Sequence, residues 1–387
     1  MKANQELLER RVAEVIEKEH LAKALDSGKK LKIKLGIDPT APELHLGHTV
    51  PLLKLKEFQD LGHEIILIIG DATAEIGDPT GKSAARKKLA RKEVSENMKT
   101  YKRQIAKILD SKKTRFVYNS QWFKKMGLAQ LMEMASTATL GQVQKRADFR
   151  KRLEAGGDVS VPEFIYPIMQ GYDSLQIKAD VEVGGTDQKF NLLMGRQVQK
   201  RFGQKEQDIL TVPLLIGTDG VEKMSKTAGN FIALKEKPEE MFGKLMAIPD
   251  ELIWSYFDLI TNVSQEELKK VKEMVVRDPL AAKKALAREV VEMYWGEKEA
   301  QKAANAFAAA FSKGEVPQDA PTWNLAGQEA DLSEILVEKG ISKSKSAVRR
   351  LVAQGGVRLN GVKLRNWQTR LEPGILKVGK KTFIKIK

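Results

Sequence analysis

The chain has 387 residues, of which 42% are hydrophobic and 30% charged, and its formal net charge is +15. This size and composition are typical of a globular protein with two or three domains. The absence of cysteine excludes disulfides, thiolate metal sites and cysteine nucleophiles. The four histidines show no metal-ligand spacing, so no protein-bound metal is expected.

The amino-terminal stretch 1–26 predicts a charged helix with its leucine, valine and isoleucine side chains on one side. This stretch lacks the apolar core of a signal peptide. The most apolar run of the chain, at 65–69, is too short to span a bilayer. A cytoplasmic location is therefore expected.

The next segments predict a strand at 31–37, a helix at 45–61 and a second strand at 64–70. The continuously apolar second strand is typical of a parallel sheet that is covered on both faces. A strand, a helix and a strand in this order predict a right-handed βαβ unit. The expected fold class is therefore α/β.

The junction between the first strand and the helix contains two histidines. Its sequence is Asp38-Pro39-Thr40-Ala41-Pro42-Glu43-Leu44-His45-Leu46-Gly47-His48. A helix amino terminus offers free N–H groups and a dipole that attract anions, and a glycine permits close approach of a nucleotide. His45 and His48 are spaced to point from one face of the helix. Such pairs also occur by chance on ordinary helices, so the junction alone leaves both interpretations open.

The turn at 71–82 follows the second strand and is rich in glycine, aspartate and threonine. It includes Asp78 and lies at the carboxyl end of a strand, where open α/β sheets bind ligands. Lys82 and Arg86 come next and would be able to reach phosphates. Ordinary surface charge at a helix start is the alternative for both side chains.

Residues 92–160 predict helices around a strand at 114–117. The segment 126–139 is rich in methionine and leucine, which fits either a packed interface or a core. The stretch 146–157 is charged and contains glycine, so it predicts a mobile loop.

A polar strip is predicted on the helix that begins near Pro162. Tyr166, Gln170 and Asp173 are spaced to lie on one helical face. Buried polar groups cost free energy unless they are paired, so the strip suits a small polar ligand. A satisfied structural network is the alternative.

A further predicted strand, at 179–183, leads through two glycines into a helix at 189–200. Gly185 permits close approach of a ligand. Asp187 and Gln188 follow it and would be able to hydrogen-bond a ribose or a carboxylate. The sequence thus predicts a second ligand-binding turn.

A second charged motif follows a predicted strand at 209–216. Its sequence is Lys223-Met224-Ser225-Lys226-Thr227. Two lysines on a mobile loop suit the negative charge that develops on a leaving pyrophosphate. A solvated basic loop is the alternative for either lysine alone.

Residues 235–311 predict only helices, including two alanine-rich helices at 279–295 and 297–311. The glycine and prolines that follow, at 313–322, predict a linker. Residues 331–387 then hold 14 Lys and Arg against 4 Asp and Glu, a net charge of +10. Such a local excess indicates a polyanionic partner, with a merely solubilising tail as the alternative.

The tail also has a fold pattern. Its predicted elements are helices at 332–339 and 343–353, a tight hairpin at Asn360-Gly361 and strands at 375–378 and 382–386. This pattern resembles the small RNA-binding module of ribosomal small-subunit proteins and pseudouridine synthases. The basic side chains expected to cluster on one side are Lys343, Lys345, Arg349, Arg350 and Arg358.

Together the two charged motifs resemble the H-x-G-H and K-M-S-K-S signatures of class I aminoacyl-tRNA synthetases, with Thr227 as the one difference. Three further motifs make the resemblance to bacterial tyrosyl-tRNA synthetases specific. They are Tyr-Pro-x-x-Gln-Gly-Tyr-Asp at 166–173, Gly-Gly-Thr-Asp-Gln at 184–188 and Gly-Asp-Pro-Thr-Gly-Lys at 77–82. The resemblance covers almost the whole chain.

The resemblance implies an α/β chain with three domains. The first is a Rossmann-like, parallel-sheet catalytic domain at 1–233, with a helical insert at about 92–160. The second is an all-α anticodon-binding domain at 234–312, and the third is a small α+β RNA-binding module at 331–387. A linker at 313–330 joins the second domain to the third. It also implies a homodimer, with residues 120–160 as a candidate interface. The implied substrates are L-tyrosine, ATP with Mg²⁺, and tRNA.

The resemblance implies a role for each site residue. Tyrosine would be bound by Lys34, Asp78, Tyr166, Gln170, Asp173 and Gln188. ATP and the adenylate would be bound by Gly36, Asp38, Gly47, Gly185, Asp187, Met224 and Ser225. The catalytic set that acts on the phosphates would be Thr40, His45, His48, Lys82, Arg86, Lys223 and Lys226. Within the tyrosine set, Asp78, Tyr166 and Gln170 would hold the ammonium, Gln188 the carboxylate and Asp173 the phenol.

One position departs from the better-known branch of the family, where a tyrosine two residues before Gly36 also contacts the substrate phenol. Here that residue is Lys34, as in a second bacterial branch. Asp173 is then expected to be the main phenol partner, with Lys34 as its candidate ion-pair partner. A charged Asp173 would disfavour phenylalanine, which would leave the carboxylate unpaired.

The implied reaction is the formation of tyrosyl-adenylate and pyrophosphate, followed by transfer of tyrosine to the 3′ end of tRNA. Three alternatives remain open from the sequence. They are a tryptophanyl-type synthetase, a different nucleotidyltransferase with an H-x-G-H motif, and a non-catalytic RNA-binding protein on the same scaffold.

Overall fold

The structure is a computed structural model that describes residues 2–80, 91–312, 320–324, 331–342, 344–360, 362–369, 371–379 and 382–386. The chain divides into two compact units, Met1–Ala300 and Gln301–Lys387. The domain boundaries expected from the sequence stay predictions. In the described part of the chain, no helix is long and apolar enough to cross a membrane.

A six-stranded sheet organises the first unit. Its strands are β1 (Glu14–Ile16), β2 (Lys32–Ile37), β3 (Glu64–Ile69), β4 (Thr114–Tyr118), β5 (Val181–Gly185) and β6 (Asp208–Val212). They lie in the order β1-β6-β5-β2-β3-β4. β2 to β6 run parallel to their neighbours, and β1 pairs antiparallel with β6. The predicted parallel sheet is therefore confirmed.

Ten α-helices of the first unit come before β1 or between the strands of this sheet, in the part of the chain that the structure describes. They are α1 (Lys2–Leu7), α2 (Lys18–Asp26), α3 (Leu46–Asp60), α4 (Arg91–Ile105), α5 (Ser120–Phe123), α6 (Leu128–Ala135), α7 (Leu140–Gln144), α8 (Ala147–Glu154), α9 (Val161–Ile177) and α10 (Lys189–Arg201). From β2 the chain crosses to β3 on one side, whereas β5 lies on the other. Ligands bind at such a switch point, outside the carboxyl ends of the strands.

The helical part begins after β6 and the second charged motif. Its helices are α11 (Pro238–Met246), α12 (Ile253–Ile260), α13 (Gln265–Arg277), α14 (Pro279–Trp295) and α15 (Glu297–Ser312). α14 has the predicted bounds, because Pro279 begins it and Gly296, at a φ of 85°, follows its end. The predicted strand at 209–216 is shorter, since β6 ends at Val212.

The single amino-terminal helix expected from the sequence is wrong. The segment forms α1, β1 and α2, and positive φ angles at Arg11 (55°) and Glu17 (65°) interrupt any helix. β1 instead pairs with β6 at the sheet edge. Arg11 is buried and donates to the main-chain oxygen of Leu259 at 2.9 Å. These long-range partners, which no local pattern reports, override the amphipathic periodicity.

The mobile loop expected at 146–157 is also wrong, because α8 occupies most of it. Phe149 packs in the core, and two arginines of the segment are buried beside it. Arg146 pairs with Asp148 and Arg152 pairs with Glu163, each at 2.7 Å. Pairing lets these charges be buried, whereas the charge pattern by itself indicated a solvated loop.

The second unit contains α16 (Leu332–Glu338), α17 (Lys345–Ala353) and a five-stranded sheet. The strands are β7 (Thr322–Trp323), β8 (Val357–Leu359), β9 (Val362–Lys363), β10 (Gly374–Val378) and β11 (Thr382–Ile386), in the order β7-β11-β10-β8-β9. β7 falls inside the predicted linker and pairs with β11, whereas most of that linker lies outside the described residues. The hairpin turn expected between β8 and β9 is confirmed at Asn360, which has a φ of 51°.

Candidate active site

A cleft of about 250 Å³ opens at the carboxyl ends of β2 and β5, at the switch point of the sheet. Ten of the predicted site residues line it. They are Gly36, Asp38, Thr40, His48, Asp78, Tyr166, Gln170, Asp173, Gly185 and Gln188. The fold therefore brings together residues that are spread over about 150 positions of the sequence.

Asp173 lies at the buried end of the cleft and is 4% exposed. It accepts hydrogen bonds from the indole Nε1 of Trp122 at 3.0 Å and from Asn119 at 3.3 Å. Burial raises the pKa of Asp173 to about 7, although nearby Lys34 and the two hydrogen bonds oppose the shift. Asp173 is therefore partly protonated at neutral pH, whereas the sequence predicted a charged carboxylate.

The expected ion pair between Lys34 and Asp173 is wrong. Lys34 is completely buried and forms a salt bridge with Glu182 at 2.8 Å. It also donates to the hydroxyl of Ser174 at 2.7 Å and to the main-chain oxygen of Gln170 at 2.8 Å. The parallel register of β2 and β5 places Lys34 directly opposite Glu182. A carboxylate in an otherwise apolar strand was the overlooked signal for this partner.

The middle of the cleft contains two carboxylates with fixed partners. The phenol of Tyr166 donates to Asp38 at 2.9 Å, and Thr73 donates to the other oxygen of Asp38 at 2.8 Å. The side chain of Gln188 donates to Asp78 at 2.7 Å. Burial and the facing carboxylates raise the pKa of Tyr166 well above its ordinary value, so the phenol stays protonated.

Gly70 has no side chain, which leaves room for the carboxylate of Asp38 and the hydroxyl of Thr73. A Cβ atom there would lie 2.0 Å from Oδ1 of Asp38 and 2.3 Å from the hydroxyl of Thr73. No other residue type is compatible with this close approach. Thr73 and Gly70 both line the cleft, and the sequence analysis missed them.

Two further polar residues were missed, and they connect the cleft to α8. Asn191 donates to the side-chain oxygens of Gln170 at 3.1 Å and Gln188 at 2.9 Å. Arg146 in turn donates to the side-chain oxygen of Asn191 at 3.0 Å. Asn191 was detectable one helical turn after Gln188, but Arg146 stood in a segment predicted to be a loop.

The two histidines at the start of α3 have ring centroids 3.8 Å apart, and His48 lines the cleft. Nδ1 of His48 accepts the main-chain N–H of His45 at 3.2 Å. Burial, with the neighbouring Lys226, lowers the pKa of His45 to about 2 and of His48 to about 4. Both imidazoles are therefore neutral, and they can donate hydrogen bonds without contributing charge.

Gly47 is close to the ring of His45. A Cβ atom at Gly47 would lie 3.0 Å from Nδ1 and Cε1 of that ring and 3.6 Å from Cβ of Met224. A side chain at this position would therefore crowd the ring of His45, whereas Met224 of the second motif would remain at an ordinary contact distance. Nδ1 of His45 is buried and has no hydrogen-bond partner among the residues that the structure describes.

The second charged motif lies beside the first, and each of its lysines has a partner. Lys223 pairs with Asp187 at 2.6 Å. Lys226 donates to the main-chain oxygen of Glu43, within the first motif. The main-chain N–H of Ser225 donates to Asn230 at 2.8 Å. The structure thus brings the two motifs together, as their predicted common role requires.

Three predicted site residues lie outside the described residues, namely Lys82, Arg86 and Lys343. The other four residues of the predicted RNA-binding set are exposed. Lys345 pairs with Glu334 at 2.7 Å, and the guanidinium of Arg349 lies 3.8 Å from the ring centroid of Trp367. Arg350 is on α17 and Arg358 is on β8.

Comparison with known proteins agrees with this geometry. Residues 26–312 match the family described as class I tRNA synthetases (W and Y), and residues 312–386 match the SYY-like C-terminal domain of tyrosine–tRNA ligases. A tyrosine–tRNA ligase of Carboxydothermus hydrogenoformans is 48% identical, with 100% of this chain and 98% of the relative covered. One of Aquifex aeolicus is 47% identical, with 96% and 95% covered.

Solved structures show the same fold. A C-terminally truncated mitochondrial tyrosyl-tRNA synthetase of Aspergillus nidulans matches with a TM-score of 0.69 and 25% identity over 80% of this chain and 95% of that one. The tyrosyl-tRNA synthetase of Archaeoglobus fulgidus complexed with L-tyrosine matches with a TM-score of 0.64 and 25% identity, covering 78% and 99%.

Proposed function

Because the chain belongs to the class I tyrosyl-tRNA synthetases and ligates tyrosine to tRNA, we propose that its cleft binds tyrosine with the phenol toward Asp173. The ammonium then faces Asp78, Tyr166 and Gln170, and the carboxylate faces Gln188. The hydrogen-bonding character of these groups supports this orientation. Carboxylate and amide oxygens accept from an ammonium, and an amide N–H₂ donates to a carboxylate.

The observation that carries this proposal is the position of Asp173 as a buried carboxylate that lines the cleft. Trp122 and Asn119 each donate to one of its oxygens. A carboxylate has about four lone-pair sites, so it can still accept the hydrogen bond of a phenol. An indole N–H is also a donor, but the homologues named above are tyrosine–tRNA ligases, which does not favour a tryptophanyl-type enzyme.

Two features support the assignment of ATP to the other end of the cleft, namely the open space beside the backbone and the hydrogen-bond donors there. A Cβ atom at Gly36 would have no neighbour within 4 Å, which leaves room for a nucleotide. We assign Gly36, Asp38, Gly185 and Asp187 to the adenosine and ribose of the adenylate, with His48 near the ribose. Thr40 and His45 would meet the γ-phosphate. Mg²⁺ would enter with ATP as part of that substrate.

In the first step a tyrosine carboxylate oxygen bonds to the α-phosphorus while the bond from that phosphorus to the pyrophosphate oxygen breaks. The attacking oxygen is already anionic, so no protein nucleophile or general base is required. The enzyme contributes positioning and charge stabilisation. Lys223 and Lys226, with Lys82 and Arg86 as predicted from the sequence, would neutralise the leaving pyrophosphate.

In the second step the terminal ribose hydroxyl of tRNA attacks the carbonyl carbon of the adenylate, and AMP leaves. We propose that the exposed basic residues of the second unit contact this tRNA. The deletion of residues 331–387 should spare tyrosine activation but weaken tRNA binding and make its salt dependence shallower. Unchanged tRNA affinity at every salt concentration would contradict the assignment.

We also propose that the protein is located in the cytoplasm, where its tRNA substrate is found.

We further propose that the chain forms a homodimer. The insert exposes large apolar side chains, namely Leu128, Leu131, Met132 and Leu140. Apolar patches of this kind mark protein interfaces. A Leu128→Glu substitution should therefore shift the chain toward monomer in analytical ultracentrifugation, and a wild-type chain that sediments as a monomer would exclude the dimer.

The function is tested by the exchange of labelled pyrophosphate into ATP in the presence of each of the twenty amino acids. We expect exchange with tyrosine alone. Exchange with tryptophan would keep the reaction but overturn the pocket assignment. The absence of exchange with any amino acid, for a folded protein supplied with Mg²⁺, would favour the non-catalytic RNA-binding alternative.

A further inference from the structure

Arg146 is a buried cation that the proposed reaction does not use. It is 4% exposed and forms a two-point ion pair with Asp148, at 3.0 Å from Nε and 2.7 Å from Nη2. Its guanidinium also lies over the rings of Phe149 and Phe190, at 4.5 and 5.4 Å from the centroids. Its orientation is therefore fixed by contacts on several sides.

Two chains of hydrogen bonds lead from Arg146 to Asp78. In the first, Arg146 donates to the hydroxyl of Thr80 at 3.1 Å, and the N–H of Thr80 donates to Oδ1 of Asp78 at 2.9 Å. In the second, Arg146 donates to Asn191 at 3.0 Å and Asn191 donates to Gln188 at 2.9 Å. Gln188 then donates to Oδ2 of Asp78 at 2.7 Å. Both oxygens of this carboxylate are thus connected to one guanidinium.

The direction of the second chain is dictated by its ends. A guanidinium only donates hydrogen bonds and a carboxylate only accepts them. Asn191 must therefore present its oxygen to Arg146 and its N–H₂ group to the two glutamines. Gln188 must present its N–H₂ group to the cleft carboxylate, and Gln170 presents its own to Glu182 at 3.2 Å. Arg146 thereby sets the orientation of the Asn191 amide, and Asn191 together with the two carboxylates sets the orientation of the two glutamine amides.

We propose that Arg146 is a positioning residue for tyrosine binding, acting through Asn191 on the amides of the cleft. This inference rests on the proposed function, in which Gln188 faces the substrate carboxylate. If the amide of Gln188 were reversed, its oxygen would face both that carboxylate and Asp78. Both contacts would be repulsive, so the proper orientation favours tyrosine binding without any contact between Arg146 and the substrate.

The decisive variant is Asn191→Asp. The new carboxylate still accepts from Arg146 and pairs with its charge, so the contact with α8 is kept. It has no N–H₂ group to donate to the two glutamine oxygens. This variant therefore tests the step from Asn191 to the two glutamines, and Arg146→Met tests the step from Arg146 to Asn191. A positioning role for Arg146 predicts weaker tyrosine binding in both variants.

Arg146→Met and Arg152→Met form the matched pair. Arg152 is a second buried arginine of the same segment, and it pairs with Glu163 at 2.7 Å rather than with a cleft residue. Both substitutions remove one buried cation, so both should lower the melting temperature. Only the first should change the kinetics of tyrosine activation.

The measurement is the KM for tyrosine, the KM for ATP and kcat of pyrophosphate exchange, together with the melting temperature. Arg146→Met and Asn191→Asp should each raise the KM for tyrosine about tenfold, the loss expected for one hydrogen bond to a charged group. The KM for ATP should not change, and Arg152→Met should keep the wild-type KM for tyrosine.

An unchanged KM for tyrosine in Arg146→Met or in Asn191→Asp, or an equal rise in all three variants, would overturn the inference while wild-type exchange continued to support the function. A wild-type chain without tyrosine-dependent exchange would overturn both.

Discussion

The two ends of the cleft differ in how their polar groups are satisfied. At the tyrosine end, side chains hold one another, as Asn119 and Trp122 both donate to Asp173. At the phosphate end, Lys223 is 42% exposed and pairs with Asp187, while Lys226 is bound to a main-chain oxygen.

The difference indicates two ways of using polar groups. Side chains that hold one another are preorganised for a substrate that must be recognised. Lys226 can exchange its main-chain partner for a phosphate oxygen, whose full charge makes a stronger contact. Lys223 is itself exposed, so it can exchange Asp187 for a phosphate oxygen. Substitutions at the phosphate end should therefore slow the chemical step, and those at the tyrosine end should change binding and stability.

The largest effect is expected for Lys226→Ala. It should slow adenylate formation by about a hundredfold or more, as for the loss of a group that stabilises developing charge, while the Kd for tyrosine stays nearly unchanged. Single-turnover kinetics and equilibrium tyrosine binding measure the two quantities. Lys235→Ala is the control. Lys235 forms an ion pair with the carboxylate of Glu43, the residue whose main-chain oxygen binds Lys226, but Lys235 lies outside the motif. Equal losses of rate and tyrosine affinity would contradict the proposal that the phosphate end acts on the chemical step and the tyrosine end on binding.

Lys34→Met tests the buried network below the tyrosine end. It should lower the free energy of unfolding by about 3 kcal/mol, because Glu182 is left buried without its cation. The double variant with Glu182→Gln should recover most of that loss, since neither charge then remains. Urea denaturation measures both. The exposed pair of Lys29 with Asp180 is the matched control, and Lys29→Met should cost less than about 1 kcal/mol. A similar cost for both lysines would contradict the prediction.

The pKa of Asp173 predicts a pH dependence for tyrosine binding. Above its pKa of about 7 the carboxylate is free to accept the phenol, and below it a proton occupies the site. The KM for tyrosine should therefore rise about tenfold between pH 8 and pH 6. Exchange kinetics across this range measure the change, and Asp173→Asn should abolish it. A wild-type KM that is flat over this interval would exclude the role of Asp173.

The smallest effect is expected for the stability of Asp173→Asn. The folded chain binds the proton of Asp173 more tightly than the unfolded chain, because its pKa is raised from 3.8. Wild-type stability should therefore be lost as the pH rises from about 4 to 7. A pKa raised from 3.8 to about 7 corresponds to a cost of about 4 kcal/mol at pH 8. An asparagine has only one side-chain oxygen, so it loses one of the hydrogen bonds from Trp122 and Asn119, and this loss offsets most of the gain. At pH 8 the variant should therefore be more stable by about 1 kcal/mol, as measured by urea denaturation. A variant less stable at pH 8 than the wild type would show that the charged carboxylate of Asp173 does not lower the free energy of unfolding.

The sequence by itself determined the elements whose signals are local. The apolar run at 65–69 predicted β3, and Pro279 and Gly296 delimited α14, because strand burial and helix ends depend on neighbouring residues. The two signature motifs predicted the phosphate end for the same reason, since each lies on one continuous turn of the chain. Of the residues in these motifs, Asp38, Thr40 and His48 line the cleft.

Only the tertiary structure decided the partners of buried charges. The register of β2 and β5 pairs Lys34 with Glu182, and packing of α8 brings Arg146 to Asn191, 45 residues away. A charged residue has the same local signature whether it is solvated or paired inside the protein. Its burial depends on a partner supplied from a distant part of the chain, and that partner is fixed only when the chain has folded.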